Sequence, residues 1–221
     1  IMNKYFDLFI KKNKKIINTF DNERYIIAVD RNRYLASIIT SIMLSAIGNK
    51  LKLNPIILSD TKNKNITKVY KSFGFTNFYT GFRYTINFLK FSIVAKSLFL
   101  TLLCIINTKF KGFAWFIKNF TVKKIKIGDL IYDTYIKKGN NYINPKIDFD
   151  LINLIFTSIY RTLNIIEIFK KNSIKVALVN TEAYAYNDGI LGRVALSKNI
   201  KVYSIHGHAH STFTFLDEFT K

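Results

Sequence analysis

Apolar residues in this chain fall into short runs separated by polar turns, and the runs alternate between strand-like and helix-like periods. "RYIIAV" (Arg24 to Val29) is an apolar run ending at Asp30, the pattern of a strand covered on both faces. From Tyr34 to about Ile47 the pattern turns helical and is apolar nearly all round, which predicts a buried helix. "NPIILSD" (Asn54 to Asp60) predicts a second strand, "NITKVYKSFGF" a helix stopped by Gly74, and "TNFYTG" a short third strand.

The second half repeats the alternation. A helix from about Asp148 to Asn172 spaces Leu151, Ile155, Ile159, Leu163, Ile166 and Phe169 on one face. Asp148 and Asp150 favour its start, and Lys170 and Lys171 its end. "IKVALVN" (Ile174 to Asn180) predicts a buried strand. A helix from about Asp188 to Lys198 follows, with Asn199 suited to a left-handed cap, and then a strand, "IKVYSI" (Ile200 to Ile205). Strands alternating with helices predict an α/β fold, a Rossmann-like parallel sheet with helices on both faces, as a single domain over residues 1–221.

Such sheets bind ligands beyond the carboxyl ends of their strands. That rule selects Asp30, Arg31, Asn32 and Arg33 after the first strand, and Ser59 and Asp60 after the second. It also selects Asn180 to Asp188 and, last, His206 to His210.

Composition narrows the choices. The 221 residues are 49% hydrophobic, enough for one core, and two prolines and nine glycines leave no linker-like tract. Lys and Arg number 34 against 14 Asp and Glu, a net charge of +20 that attracts nucleic acids, nucleotides or anionic lipid headgroups. The lone Cys104 excludes an intramolecular disulfide and suits a reducing cytoplasm. A start at Ile1 followed by Met2 reads as a fragment, and the broken apolar segments near it do not form a secretory leader. "FSIVAKSLFLTLLCIIN" (Phe91 to Asn107) is interrupted by Lys96, where a membrane span needs ~20 apolar residues. It is expected as a buried or interfacial helix, with Lys90, Lys109 and Lys111 suited to anionic headgroups.

His206, His208 and His210 are the only histidines, and alternation puts them on one side of an extended segment. A zinc site would need ligands arranged around the ion, and three alternate residues of one strand do not surround it. No metal is expected there, and a role facing phosphate or other polar groups fits better. "NTEAYAYNDGILGRVALSKNIKVYSIHG" (Asn180 to Gly207) carries the richer constellation. Its polar turn includes Glu182 and Tyr186, and free amides at a helix start near Gly189 favour an anion. Glu182 and Asp188 are candidate general bases if burial raises their pKa, and Arg193 is a candidate cation for phosphate. The plainer alternative makes Asp188 a helix cap and Arg193 half of a surface ion pair. In "GDLIYDTYIK", Asp129 and Asp133 sit four apart near Tyr135, suited equally to capping and solvating a helix or to chemistry.

"IKIGDLIYDTYIKKG", with "YNDGILGRVALSKNIKVY", resembles bacterial capsule and lipopolysaccharide biosynthesis proteins, glycosyltransferases of the GT-B type. The shared pattern is I-G-D-L-I-Y-D-x-Y-x-R/K, a helix, a strand, then Y-x(2)-G-x(3)-R-x-A and a strand in V-Y, roughly the C-terminal half of the chain. The resemblance implies the N-terminal, acceptor-side half of a GT-B-like architecture, with the C-terminal donor-binding domain absent from this chain. It implies sugar transfer from a nucleotide sugar to a lipid-linked or glycan acceptor, with no cofactor beyond that co-substrate. The fragment alone is expected to be inactive.

The implied location is cytoplasmic, peripheral on the inner face of an anionic membrane. Glu182 and Asp188, then Asp133, are the expected bases. Asp30, Arg31, Asn32, Tyr186, Gly189, Arg193, His206 and His208 are expected to hold substrate. Where relatives carry a histidine after the strand, this chain has Glu182, so a histidine base is not carried over.

Rival classes make other demands. A nucleic-acid module interleaves basic and aromatic residues on an exposed surface, whereas aromatics here lie mostly in apolar runs and charge is scattered, so no nucleic-acid partner is expected. A dinucleotide-binding enzyme requires G-x-G-x-x-G after the first strand, and "VDRNRY" has no glycine. A non-catalytic membrane-associated scaffold remains the other alternative, separated from the enzyme by turnover.

Overall fold

The computed structural model describes residues 19–30, 34–59, 64–80, 91–137, 146–180, 186–205 and 213–215, together with Leu8 and Lys12. The strands are β1 (Arg24–Val29), β2 (Asn54–Ser59), β3 (Asn77–Thr80), β4 (Thr121–Val122), β5 (Ile125–Lys126), β6 (Ser173–Asn180), β7 (Lys201–Ile205) and β8 (Phe213–Phe215). The helices are α1 (Tyr34–Leu51), α2 (Lys64–Ser72), α3 (Phe91–Asn119), α4 (Gly128–Lys137), α5 (Phe149–Lys171) and α6 (Tyr186–Leu196). The main sheet has the order β3-β2-β1-β6-β7-β8, in which the first five strands are parallel and β8 runs antiparallel to β7. This mixed α/β arrangement, a parallel sheet flanked by helices, is consistent with a Rossmann-like fold. Two compact units divide the chain: Ile1–Tyr84 with Asn172–Leu178, and Thr85–Lys171 with Val179–Lys221.

In the first unit β1 lies between β2 and β6, and its Ile26, Ile27 and Ala28 are buried. An interior position with both faces covered is why "YIIA" is continuously apolar rather than alternating. β1 and β2 are parallel, with Ile27 opposite Ile56, so the chain returns through α1, as parallel pairing demands. The buried face of α1 is mostly small and hydroxylated, with Ser37, Thr40, Ser41, Ser45 and Gly48 beside Leu44. Larger apolar side chains, Leu35 and Ile42 among them, point outward.

In the second unit α3 runs through the basic stretch that followed its apolar segment, bending at Gly112, where φ is 80°. Its buried positions are Ser97, Thr101, Cys104, Thr108 and Phe116. The hydroxyls of Ser97, Thr101 and Thr108 each donate to the carbonyl four residues earlier at 2.7 Å, so this face carries no unmet polarity. Burial pushes the Cys104 thiol up to about 12, against a weak contact with Thr108, leaving it a packing group. Leu98, Phe99, Leu102, Ile106 and Phe110 face outward, with Phe110 83% exposed.

The sequence singled out one membrane-like segment and expected it to be buried or interfacial. Among the described residues three helices are long and apolar enough to cross a membrane, namely α1, α3 and α5. α5 is mostly buried inside the protein, whereas the apolar side of α3 is mostly exposed. The difference arises because small hydroxylated residues occupy the inner positions of α3 and leave its bulk outside.

The β4–β5 hairpin turns through Lys123 and Lys124, and α4 begins just beyond it. A side chain at Gly128 would collide with the Phe116 carbonyl, so glycine is required at that close approach. α5 starts as its sequence suggests. Asp148 Oδ1 accepts from the Leu151 N–H at 2.8 Å, while Oδ2 accepts from the Tyr135 hydroxyl at 2.6 Å. Asn199, at φ 55°, ends α6 in the left-handed conformation expected of it.

The Tyr135–Asp148 bond gives a pH signature. Burial, then the bond to Asp148, pushes the tyrosine up to about 12 from its ordinary 10. Burial would raise Asp148, but Tyr135 and backbone N–H groups hold it below the usual carboxylate range. The tyrosine therefore contributes stability that is complete below pH 10 and lost as pH rises through 12. The aspartate's contribution is complete above about pH 3.9 and lost as pH falls through its folded value. Tyr135→Phe should cost about 1–2 kcal/mol at neutral pH. In urea denaturation the gap from the natural protein should close above pH 12.

Candidate functional site

In the first unit the described candidate is Asp30, one step past β1. Its backbone N–H donates to the Leu58 carbonyl at 2.8 Å, extending the parallel ladder beyond the strand. Its carboxylate is buried. Oδ1 accepts from Ser37 Oγ at 3.1 Å and Tyr70 OH at 3.3 Å, and Oδ2 from Ser59 Oγ at 3.2 Å. The donors come from α1, α2 and the end of β2, so one carboxylate holds together three elements at the carboxyl edge of the sheet. Ser59 follows from the strand-end rule. Ser37 and Tyr70 lie inside helices, seven and forty residues away along the chain, and nothing local in the sequence marks them.

The second unit carries the larger cluster. Asp188 and Gly189 lie in the first turn of α6, where an acidic residue suits the positive end of the helix dipole, and both are buried. Ile190, Leu191, Val194 and Ala195 bury the rest of the helix. Gly192 presses towards Val179 of β6 and Val202 of β7, with room for a methyl group at ordinary contact distance.

Arg193 turns instead to α4. Its Nη1 donates to Asp129 Oδ1 at 2.6 Å and its Nη2 to Oδ2 at 2.8 Å, a bidentate pair. The same Nη1 donates to the Lys126 carbonyl at 2.7 Å, and the Lys126 ammonium lies 3.7 Å from Asp129. The sequence offered phosphate binding or an ion pair for Arg193, and the geometry supplies the ion pair.

Asp129 and Asp133 stand one helical turn apart and titrate in opposite directions. Burial would raise Asp129, but the hydrogen bonds and charge of Arg193, then Lys126 and the Leu130 N–H, hold it below the usual range. Burial, then the negative charge of Asp129, raises Asp133, against Lys137 and Arg193. Asp133 is therefore the better proton acceptor of the two, a half-buried carboxyl raised above its ordinary value, while the Arg193 guanidinium favours its ionised form.

Of the expected site residues, the structure places Asp133 and Arg193 in one electrostatic cluster and Asp188 and Gly189 in the same unit. Asp30 belongs to the other unit. Arg31, Asn32, Glu182, His206 and His208 lie outside the described residues, as does the side chain of Tyr186. Among the described residues no group of three or more His, Cys, Asp or Glu is placed to hold a metal ion.

Asp129→Asn should lower stability by about 1–2 kcal/mol at neutral pH. Asp129 has a depressed folded pKa, so its contribution is complete above about pH 3.9 and fades as pH falls through the folded value. The stability gap measured by urea denaturation should therefore close in acid. NMR titration of the same variant should show the Asp133 pKa moving down, since a raising charge is gone.

No family model matches this chain, and a search of curated proteins finds no match.

Proposed function

We propose that this chain is the acceptor-side half of a GT-B-like glycosyltransferase acting in bacterial surface-polysaccharide synthesis. The observation carrying this reading is the Asp133 carboxyl, raised by burial and by Asp129, next to the Asp129–Arg193 pair. It lies within the stretch that resembles those enzymes. The parallel sheet, consistent with a Rossmann-like half, supports the reading.

In the transfer, an acceptor hydroxyl oxygen attacks the anomeric carbon of the donor sugar, and the bond from that carbon to the nucleotide phosphate breaks. The electron pair leaves with the nucleotide diphosphate, and the hydroxyl proton passes to a carboxylate. Asp133 fits that proton-accepting task among the described candidates, because Asp188 is only 2% exposed. Cationic groups stabilise the departing phosphate.

The outward apolar face of α3 and the net charge of +20 support work at the cytoplasmic face of an anionic membrane, where lipid-linked acceptors are presented. A nucleotide sugar is the co-substrate, and nucleic acid is not a partner.

The protein should release nucleotide from one member of a nucleotide-sugar panel only when a membrane-lipid extract supplies the acceptor, and chelator should not abolish release. Asp133→Asn should reduce the rate about a hundredfold or more while the fold is kept. No turnover with any donor, together with salt-sensitive binding to RNA or DNA, would replace this reading with a nucleic-acid-binding one.

A further inference from the structure

Beside the β4–β5 hairpin, the second unit contains a pocket of about 460 Å³. Its rim carries Lys96 of α3, Lys123 and Lys124 of the β4–β5 turn, Lys170 of α5 and Lys198 just after α6. Glu167 is the single carboxylate among the lining residues, and it is bonded to Lys170 at 2.7 Å. The floor is apolar, with Ile125 and Leu163 buried in it. A strongly positive rim over a hydrocarbon floor favours a ligand that is anionic at one end and apolar at the other. The volume lies within the ~300–1,000 Å³ typical of small-molecule sites.

The turn bearing two of these lysines has an unusual backbone. Val122 pairs with Ile125 in the antiparallel hairpin, leaving Lys123 and Lys124 as a two-residue loop. Both are left-handed, at φ 51° and 67°. Tight hairpins of this kind favour Asn-Gly, because a side chain makes positive φ unfavourable. Two lysines occupy the strained positions, and both line the pocket. Local strain kept where charge is presented is a mark of a binding site.

We propose that this pocket binds the phosphate group of an amphiphilic phosphoester, with the lysine rim on the phosphate and the apolar part against Ile125 and Leu163. Lysine ammonium groups act here as point charges, which suits phosphates of varied geometry. Asp133 is not among the lining residues, and the proposal does not depend on sugar transfer. Two sources share this chemistry: a headgroup held in a bilayer, and a phosphoester free in solution. The outward apolar face of α3, the helix that supplies Lys96 to the rim, gives the first a physical route.

Calorimetry with short-chain phosphatidic acid, below its micelle concentration, tests the free ligand. Sedimentation with phosphatidylcholine vesicles, with and without phosphatidic acid, tests the bilayer. The decisive variant is Lys123→Asn with Lys124→Gly, which removes two charges and installs the residues the turn prefers. It should melt at a higher temperature than the natural protein and bind phosphatidic acid about tenfold more weakly or worse.

Lys198→Ser, outside the turn, should also weaken binding, whereas Lys68→Ser in the other unit should not. Binding in both formats, lost in the pocket variants, supports a site for either source. Binding to vesicles alone, lost likewise, assigns a membrane headgroup; binding in solution alone assigns a soluble phosphoester. Binding in neither format, or binding unchanged in the turn and Lys198 variants, overturns the proposal.

Discussion

A parallel pair of strands cannot be joined by a tight turn, and that constraint organises the main sheet of this protein. Each return from β1 to β2 and from β2 to β3 requires a helix, so the two ends of the sheet differ in kind. At the carboxyl ends the chain leaves a strand to enter a helix, and a polar group there must be satisfied by neighbours rather than by the ladder. Asp30 meets that condition with hydroxyls from two helices and the adjacent strand. A carboxylate buried without such donors would carry a large desolvation cost. The cluster therefore ties the position of β1 to those of α1 and α2.

Helix faces obey a second constraint, close packing. The inner faces of α1 and α3 are built largely from serine, threonine and glycine or cysteine, small enough for close approach to their neighbours. In α3 the hydroxyls bond their own helix, so burying them leaves no donor unmet. The large apolar residues are consequently displaced outward, against the usual arrangement of a helix on a water-soluble domain. Exposed apolar area of this extent marks a surface that meets something other than water. Charge and apolarity thus coincide on α3, where Lys96 joins the basic rim of the pocket.

The aspartates illustrate how environment separates identical side chains. Asp148 is held ionised by a phenol and by the amides of the helix it caps. Asp129 is held ionised by a bidentate arginine whose partner helix begins beyond β6. Asp133, one turn on, is raised by burial and by the charge that Arg193 fixes at Asp129. Ordering one carboxylate thereby makes its neighbour the better proton acceptor. Environment, not side-chain type, sets which of these carboxyls holds a proton more readily.

Much of the fold was legible in the chain, since buried parallel strands read as unbroken apolar runs and amphipathic helices as spaced ones. β1, β2, β6 and β7 lie where those runs predict, α5 starts where Asp148 and Asp150 favour it, and Asn199 ends α6. The β4–β5 hairpin was not legible, because two lysines stand where Asn-Gly would have signalled the turn. The full length of α3 was hidden by lysines that read as a break in an apolar segment but sit comfortably on a solvent-facing helix.

Among the candidate residues, Asp30 was selected by its place after β1, and Asp133 and Arg193 by their local motifs. Sequence alone could not pair Arg193 with Asp129, which precedes it by 64 positions, nor gather the pocket lysines from four separate segments. Local sequence determined the elements through periodicity and capping, which act over a few residues. Only the tertiary structure decided which charges meet and which apolar faces stay uncovered, because those outcomes depend on distances set by the packing of distant segments.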